Sequence, residues 1–429
     1  MKNIINSVKG TRDFYPELKA VHSWLYAKVR KVSERYGYQE YEGPFLETID
    51  LYAAKSGEEL VKEQSFVFPD RSGDLITLRP ELTPTLARMV AQRQKQLVFP
   101  LRWWSFGPFW RYEKPQKGRT REFFQWNIDL IGINTPQADA ELIAIVASFF
   151  REVNLNPTQV KIYVNDRQLM EAELNLLGIA AEDRSTVFRL IDRKEKMSDS
   201  DWKQYAQSEG LSETQTKGIE SILKDKDLWK KSENLKKIFE TLQAIKLMDF
   251  VEFDPNIIRG LDYYTSTVFE AKDIGGNVRR SILGGGRYDN LLADVGGDKI
   301  PAVGFAMGDV VISLILENYG CIPSSIYNPP AKVLITTFSE ETLLEGLTLA
   351  EELRKHGINT LTYPECVNLN KQLKFADRMG IPYAIILGPD ELAQQVCTLK
   401  NLTNGKQEQI PMKDISQKLF GFLAEENNL

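Results

Sequence analysis

The spacing of apolar residues predicts alternating helices and strands in the first part of the chain. Apolar residues recur at helical spacing over 17–37, which ends at Gly37, and again over 139–153. The segment 81–92 is predicted to open a further helix, with Thr83 as the N-cap residue before Pro84. Strands are predicted where apolar residues alternate or aromatic residues cluster, at 64–69, 74–80, 98–112, 123–131 and 160–166.

The polar segment between the strands at 98–112 and 123–131 predicts an antiparallel hairpin with a long tip. From 167 to 248 the chain is charged and helical in pattern, and we expect a helical insertion there. The strand-rich pattern returns at 249–305. These elements together predict a first domain over 1–327.

A second, smaller domain is predicted after a Pro-containing linker at 328–332. Strands and helices alternate over 333–429 at a spacing typical of an α/β domain of about 100 residues. The chain as a whole is therefore predicted to be α+β, with a helical insertion in its first domain and an α/β second domain.

Composition excludes several classes of protein. The 429 residues carry a net charge of −5, so no overall basic field indicates nucleic acid or a membrane, although a local basic patch would suffice. No run of about 18 apolar residues predicts a membrane-spanning helix. Three Cys without CxxC spacing and two isolated His predict neither a disulfide framework nor a metal site, and a cytoplasmic location is the default expectation.

The segment 111–121 concentrates positive charge, with five Lys or Arg and one Glu among eleven residues. It is either a solvated hairpin tip or a loop that grips phosphate, because Arg presents paired donors to phosphate oxygens. Arg111 favours the second interpretation, since it follows an apolar strand and a charge placed there needs a partner.

Polar residues on neighbouring predicted elements are further candidates. Gln125 and Asp129 lie four residues apart on one strand and share a face, either as a recognition surface for a small polar molecule or as part of cross-strand pairs. Glu81 and Thr83 stand where a strand becomes a helix, which suits either ligand contacts or helix capping.

Two further segments are unusual. Residues 259–264 place an Arg and an Asp around two Tyr, either as an edge strand or as the lining of a cavity for a planar polar ligand. The glycine triplet at 284–286 lacks the spacing of a dinucleotide or phosphate loop and is either a turn or a point of close approach to a ligand. No Ser/His/Asp arrangement is evident, which favours phosphoryl or adenylyl chemistry, where positioning and charge stabilisation dominate.

Together these segments resemble the histidyl-tRNA synthetase family of class II aminoacyl-tRNA synthetases. The resemblance runs nearly end to end and rests on KGTRDFYP (9–16), GPFLE (43–47), LRPELTPTLARM (78–89), FWRYEKPQKGRTREFFQWNIDLIG (109–132), RGLDYYTSTVFE (259–270) and GGGRYDNLL (284–292). The last two motifs are the most specific, because other class II enzymes lack them. Residues 331–429 resemble the family's anticodon-binding domain.

The resemblance implies an antiparallel sheet flanked by helices, a helical insertion, an α/β anticodon-binding domain and a homodimer formed around 43–47. It implies that histidine attacks the α-phosphate of ATP-Mg²⁺ to form histidyl-adenylate, and that the histidyl group then moves to the terminal adenosine of tRNA-His. No metal held by the protein itself is implied.

The resemblance also implies roles for individual residues. The catalytic residues would be Arg111, Arg259 and Gln125, and the ATP phosphates would contact Arg111, Arg121 and Arg259. Histidine would contact Glu81, Leu82, Thr83, Arg111, Gln125, Asp129, Arg259, Tyr263 and Tyr264, with Asp129 and Tyr264 bonding the two imidazole nitrogens. Lys114 and Gln116 would meet the acceptor end of the tRNA.

The sequence departs from the family pattern at two positions. Asp129 stands where the family usually has the longer Glu, and Val311 stands where the third class II signature normally ends in an Arg over the γ-phosphate. Asp309 adds an acid nearby. Loss of a phosphate-binding Arg costs about 2–4 kcal/mol unless another cation replaces it, and Arg287 and Arg119 are the candidates.

The missing Arg opens an alternative function. Paralogues such as the regulatory subunit of ATP phosphoribosyltransferase would bind histidine without making adenylate, although that paralogue usually lacks the anticodon-binding domain.

Residues 331–429 hold ten Lys or Arg against thirteen Asp or Glu, a composition that does not itself predict RNA binding. Lys371, Lys374 and Arg378 form either a local basic patch for tRNA or a solvated helix face.

Overall fold

The computed structural model describes residues 4–53, 64–194, 197–258, 264–276 and 278–427. The chain forms two compact units that divide between Ser324 and Ser325, close to the predicted linker. Within the described residues, no helix combines the length and the apolar character that a membrane span requires.

The first unit is built on an eight-stranded sheet. In spatial order its strands are β1, β5, β6, β11, β10, β9, β7 and β8; the two outer pairs are parallel and the inner pairs antiparallel. A separate three-stranded antiparallel sheet has the order β2, β4, β3. The strands are β1 (Gln39–Glu40), β2 (Leu46–Thr48), β3 (Phe66–Pro69), β4 (Leu75–Leu78), β5 (Leu101–Trp110), β6 (Glu122–Ile131), β7 (Val160–Asp166), β8 (Val251–Phe253), β9 (Thr267–Asp273), β10 (Leu283–Tyr288) and β11 (Ala302–Gly308).

The predicted hairpin is confirmed as β5 and β6, in which Leu101 pairs with Ile131 and Trp110 pairs with Glu122. The glycine triplet at 284–286 is not a turn but lies within β10, between β9 and β11. Glycine is a poor strand former in isolation, so the pairing on both sides holds this segment extended.

The helices of the first unit pack against the sheet and include the predicted helical insertion. They are α1 (Pro16–Arg35), α2 (Ile49–Ala53), α3 (Thr83–Arg93), α4 (Pro136–Glu152), α5 (Arg167–Leu176), α6 (Arg184–Arg193), α7 (Asp199–Ser208), α8 (Glu213–Lys224), α9 (Glu233–Ala244), α10 (Leu291–Asp294) and α11 (Asp309–Asn318). The helical prediction for 167–248 is confirmed by α5 to α9. The N-cap prediction for Thr83 is wrong, because α3 already begins at Thr83 and Leu82 takes the cap position.

The core lies between the sheet and helices α1 and α4. Trp126, Ile128 and Leu130 alternate along β6 and are fully buried, and the Trp126 ring lies 5.3 Å from the Phe149 ring of α4. Because side chains alternate along a strand, the intervening β6 residues lie on the opposite face, which we call the site face.

The second unit is a mixed five-stranded sheet with flanking helices. Strands β13, β12 and β14 are parallel, and β15 and β16 continue the sheet antiparallel. β16 is polar and exposed except at Ile410, so its sequence does not indicate a strand. The elements are β12 (Val333–Ile335), α12 (Glu340–Lys355), β13 (Thr360–Thr362), α13 (Leu369–Arg378), β14 (Tyr383–Ile386), α14 (Pro389–Ala393), β15 (Val396–Asn401), β16 (Gln407–Pro411) and α15 (Ile415–Asn427).

A buried ion pair ties the sheet to α4. The Arg287 side chain on β10 points to the helix-covered face, where its Nε donates to Asp139 Oδ1 at 3.0 Å and its Nη1 donates to the Ile133 carbonyl at 3.1 Å. The suggestion that Arg287 replaces the missing phosphate-binding Arg is therefore wrong, because the residue is only 3% exposed and its guanidinium is paired with Asp139.

Replacing Arg287 by Ala is expected to lower the free energy of unfolding of the first unit by about 3–5 kcal/mol, because the Asp139 carboxylate would stay buried without its cation. Tryptophan fluorescence during urea denaturation measures this, since all seven Trp lie in the first unit. The exposed neighbour Arg279, replaced by Ala, should change the same free energy by less than about 0.5 kcal/mol. Equal small effects of the two substitutions would contradict the ion-pair role.

Candidate active site

The site face is lined by small and polar residues from four adjacent strands. β6 contributes Gln125, Asn127 and Asp129. By register, their neighbours are Gly107 and Ser105 on β5, Gly308, Ala306 and Gly304 on β11, and beyond these Gly284 and Gly286 on β10. This glycine-rich floor leaves room for a ligand above the sheet.

Two glycines of the floor make room for Asp129 and Tyr264. A Cβ at Gly286 would come within 2.7 Å of Tyr264 Cδ1, and a Cβ at Gly304 would overlap the Asp129 carboxyl group. Gly286 and Gly304 are paired across β10 and β11, so the two side chains lie over adjacent points of the floor. The structure thus brings together the two residues that the resemblance assigned to one ligand ring.

Burial and one hydrogen bond set the ionisation of Asp129. Its carboxyl group is 5% exposed, and burial raises its pKa to about 7. Tyr288 opposes this rise, because its hydroxyl donates to Asp129 Oδ1 at 2.6 Å and favours the ionised form. Tyr288 was missed as a site residue, although its position two residues after Gly286 places it on the same strand face.

Three polar atoms beside Asp129 are buried without a hydrogen-bond partner among the described residues. They are Tyr41 Oη, Ser105 Oγ and Asn127 Nδ2. Ser105 and Asn127 are cross-strand neighbours, and Tyr41 packs on Trp103, which pairs with Asp129. An unsatisfied buried polar group costs about 1–3 kcal/mol, so this part of the floor is suited to a polar ligand.

The corner between β4 and α3 brings Glu81 close to Arg111. Glu81 is buried, and its carbonyl accepts a hydrogen bond from Tyr52 Oη at 3.1 Å. Arg111 Nε donates to the carbonyl of Pro80 at 2.9 Å, and Arg111 Cζ lies 5.4 Å from the Phe123 ring centroid. Leu82 is buried and Thr83 half-buried in the same corner.

The loop between β5 and β6 forms a tight tip. The backbone groups of Gln116 and Arg119 bond each other, and Lys114 and Gln116 are exposed. Arg121 lies at the base of the loop, where its Nε donates to the Glu113 carbonyl at 3.2 Å and its guanidinium stacks on Tyr112. These contacts hold Arg121 at the base of the hairpin rather than in the pocket described next.

A pocket of about 140 Å³, which we call the arginine pocket, opens between this loop and the start of α11. Arg119 forms an ion pair with Glu113 in its wall. Asp309 does not oppose these cations, because its carboxylate accepts hydrogen bonds from Arg12 Nη2 and from the Phe124 backbone N–H, each at 2.8 Å. The residues that line the pocket include Arg111, Arg119, Phe123, Arg280, Gly308 and Val311.

The arginine pocket and the polar floor are contiguous along β6. Gln125 pairs directly with Gly308, which lines the pocket, and Asp129 follows four residues later, about 13 Å along the strand. Arg259 and Tyr263, two of the expected site residues, lie outside the described residues.

Comparisons with known proteins agree with this architecture. The family model described as histidyl-tRNA synthetase matches residues 10–309, and the model described as anticodon binding domain matches residues 332–420. Two curated relatives, both named histidine–tRNA ligase, come from Thermoplasma volcanium, at 38% identity over 96% of this chain and 97% of the relative, and Leptospira biflexa serovar Patoc, at 32% identity over 96% of each.

A solved structure of histidyl-tRNA synthetase from Nostoc sp. PCC 7120 is similar with a TM-score of 0.80 and 26% identity, over 97% of this chain and 99% of that one. These matches confirm the family resemblance and the predicted α+β fold class. The regulatory alternative is not better supported, because the two curated relatives that match nearly full length are ligases by name.

The raised pKa of Asp129 predicts a pH-dependent stability. Between about pH 4 and pH 7 the unfolded chain loses the Asp129 proton while the folded chain keeps it, so the stability that this group contributes falls as pH rises. The free energy of unfolding of the wild type, minus that of Asp129→Asn, is expected to fall by up to about 1.4 kcal/mol per pH unit in this window.

Urea denaturation at a series of pH values checks this. Asp50→Asn, which removes an exposed carboxyl, provides the control and should change the pH dependence of the free energy of unfolding less than Asp129→Asn does. A flat difference for Asp129→Asn would contradict the raised pKa of Asp129.

Proposed function

The chain belongs to the histidyl-tRNA synthetase family, and we propose that it is a histidine–tRNA ligase. Histidine attacks the α-phosphate of ATP, which arrives as its magnesium complex, to give histidyl-adenylate and pyrophosphate. A ribose hydroxyl of the terminal adenosine of tRNA-His then takes the histidyl group, and AMP leaves. The observation that carries the proposal is the buried Asp129 carboxyl over a glycine floor, contiguous with a pocket rich in Arg.

The imidazole of histidine fits the polar floor by hydrogen bonding. Tyr288 occupies Oδ1 of Asp129, and no described residue donates to Oδ2, which is available for an imidazole N–H. The second ring nitrogen bonds Tyr264. A site that pairs both nitrogens rejects ligands of similar shape that lack them, by a factor of about 10⁴ in comparable cases. The shorter Asp in place of Glu retains the carboxylate that this recognition needs.

Activation of histidine depends on positive charge near the start of β6, where the arginine pocket lies. Arg111, whose Nε is anchored on Pro80, offsets the charge that develops on the α-phosphate. Gln125 and Glu81 orient the α-amino and carboxylate groups of histidine, and the Phe123 ring offers a flat apolar surface to adenine. Arg259 and Tyr263 enter the proposal only through their positions in the family motif.

The proposal includes tRNA as a partner and the cytoplasm as the compartment. Lys114 and Gln116 are exposed at the tip of the loop and are proposed to meet the acceptor end. The domain at 333–429 is proposed to bind the anticodon, and 1–327 to hold the catalytic site. In the second unit Lys371, Lys374 and Arg378 are exposed on α13, with Lys371 3.4 Å from Glu365.

A homodimer is proposed through the three-stranded sheet. By register, Leu46, Phe66, Phe68, Ile76 and Leu78 share one face of this sheet. Leu46 is 47% exposed and Phe68 is 40% exposed. A contiguous apolar face of this kind is typical of a protein interface.

Histidine-dependent ATP–pyrophosphate exchange tests the activation step. We expect exchange with histidine and with no other amino acid. Arg111→Ala should lower kcat by about 100- to 1,000-fold, because a charge-stabilising donor is lost. Asp129→Ala should act mainly on the KM for histidine.

Arg93→Ala, an exposed Arg at the end of α3, is the matched control and should leave both constants unchanged. Histidine binding without exchange would instead support the regulatory alternative.

Analytical ultracentrifugation tests the dimer. Phe68→Glu places a charge on the apolar face and is expected to shift the protein toward a monomer. Val98→Glu is the control, because Val98 is 87% exposed outside this sheet and its replacement should leave the mass unchanged. A wild-type protein that sediments as a monomer at micromolar concentration would rule out the interface.

A further inference from the structure

The arginine pocket contains a cation from a distant part of the chain. Arg280 belongs to the segment between β9 and β10 and lines the pocket together with residues of the loop at 111–121. Its side chain crosses Gly118, where a Cβ would come within 3.2 Å of Arg280 Cδ and 3.8 Å of Val311 Cγ2. Gly118, with φ of +77°, thus gives Arg280 its place beside Val311.

Arg280 has no counter-ion in the part of the chain that the structure describes. No hydrogen bond or ion pair joins its guanidinium to a described residue, and burial lowers the pKa of that group without any carboxylate acting against it. A half-buried charge without a partner is costly, and a guanidinium suits phosphate oxygens in particular. The pocket is therefore prepared for an anion.

The other Arg side chains near Val311 have different partners or positions. Arg119 forms an ion pair with Glu113 in the pocket wall, and Arg287 lies on the opposite face of the sheet with Asp139. Arg111 lines the pocket from the base of the loop, where its Nε donates to the Pro80 carbonyl. Arg280 contacts the tip of the loop at Gly118, which lies seven residues after Arg111 in the sequence. The two Arg therefore approach a ligand in the pocket from different ends of the loop.

We propose that Arg280 binds the β- and γ-phosphates of ATP and supplies the positive charge that is missing at Val311. The inference rests on the proposed function, because that function identifies the anion as the triphosphate of ATP. Arg111 then acts at the α-phosphate and Arg280 at the outer phosphates. The phosphate-binding cation is carried by a connecting segment instead of a helix.

Binding of ATP and AMP to the full-length protein, measured by equilibrium dialysis with Mg²⁺ and without histidine, tests the proposal. Arg280→Ala is expected to weaken ATP binding by about 10- to 100-fold, because a hydrogen-bonded charge pair is lost, and to change AMP binding by less than about twofold. Unchanged AMP affinity also shows that the variant is folded. Equal losses for ATP and AMP, or unchanged ATP affinity, would overturn the proposal.

Two further variants sharpen the test. Arg279→Ala removes the adjacent, exposed cation and should leave both affinities unchanged. In the Arg280→Ala background, Val311→Arg returns a cation to the same pocket. The double variant is expected to bind ATP at least tenfold more tightly than Arg280→Ala alone. Absence of this rescue, with AMP affinity retained, would overturn the claim that the two positions serve the same phosphates.

The binding measurement separates this inference from the proposed function. One possible result is that Arg280→Ala weakens ATP binding but not AMP binding, while the wild type shows no histidine-dependent exchange. This result would support the role of Arg280 and overturn the ligase assignment. Exchange that survives Arg280→Ala with an unchanged KM for ATP would overturn the role of Arg280 and leave the ligase assignment intact.

Discussion

A single buried guanidinium holds together the corner on which the site is built. The Arg79 side chain has no exposed surface and lies between two rings, with Cζ 4.7 Å from the centroid of Phe45 and 4.5 Å from that of Phe109. Its Nε donates to the Pro108 carbonyl at 3.0 Å, and its Nη1 bonds the Glu42 carboxylate. Since a buried charge is stable only when paired and hydrogen-bonded, these partners must converge on it.

This convergence sets the positions of both parts of the site. The backbone N–H of Arg79 bonds the Phe45 carbonyl, and its carbonyl accepts from Trp110, so the small sheet and the end of β5 meet at one residue. The next carbonyl, that of Pro80, anchors Arg111. Gly107 lies against the guanidinium so closely that any side chain there would collide with it. The corner between β4 and α3 and the arginine pocket thus depend on the same buried charge.

The local sequence pattern was sufficient to predict most helices and strands, and to predict which residues of one strand share a face. The alternation along β6 alone places Trp126 on one face and Gln125 and Asp129 on the other, because successive side chains of a strand point to opposite faces. The glycine triplet was ambiguous, since glycine tolerates both turns and strands, and only its pairing with β9 and β11 decides between them. The same holds for β16, whose polar residues give no local signal.

Contacts between distant segments could not be predicted in this way. Tyr288 meets Asp129 across 159 positions of sequence, and Arg280 meets Gly118 only because two loops cross at α11. Arg287 has the same residue type as Arg280 and a neighbouring position, yet the pleat of β10 turns it to the opposite face. Residue type therefore identified the chemistry, and tertiary structure decided which Arg carries it.

Residues near the start of the given sequence have partners far along the chain. The Gly10 carbonyl accepts from the backbone of Arg121, and Arg12 bonds Asp309, 297 positions later. At a synthesis rate of about 5–20 residues per second, the ribosome needs roughly 15–60 s to pass from Arg12 to Asp309. A nascent chain that ends before Asp309 lacks the wall that Val311 contributes to the arginine pocket, and one that ends before residue 280 lacks Arg280 as well, so the pocket is complete only when nearly all of the first unit has been made.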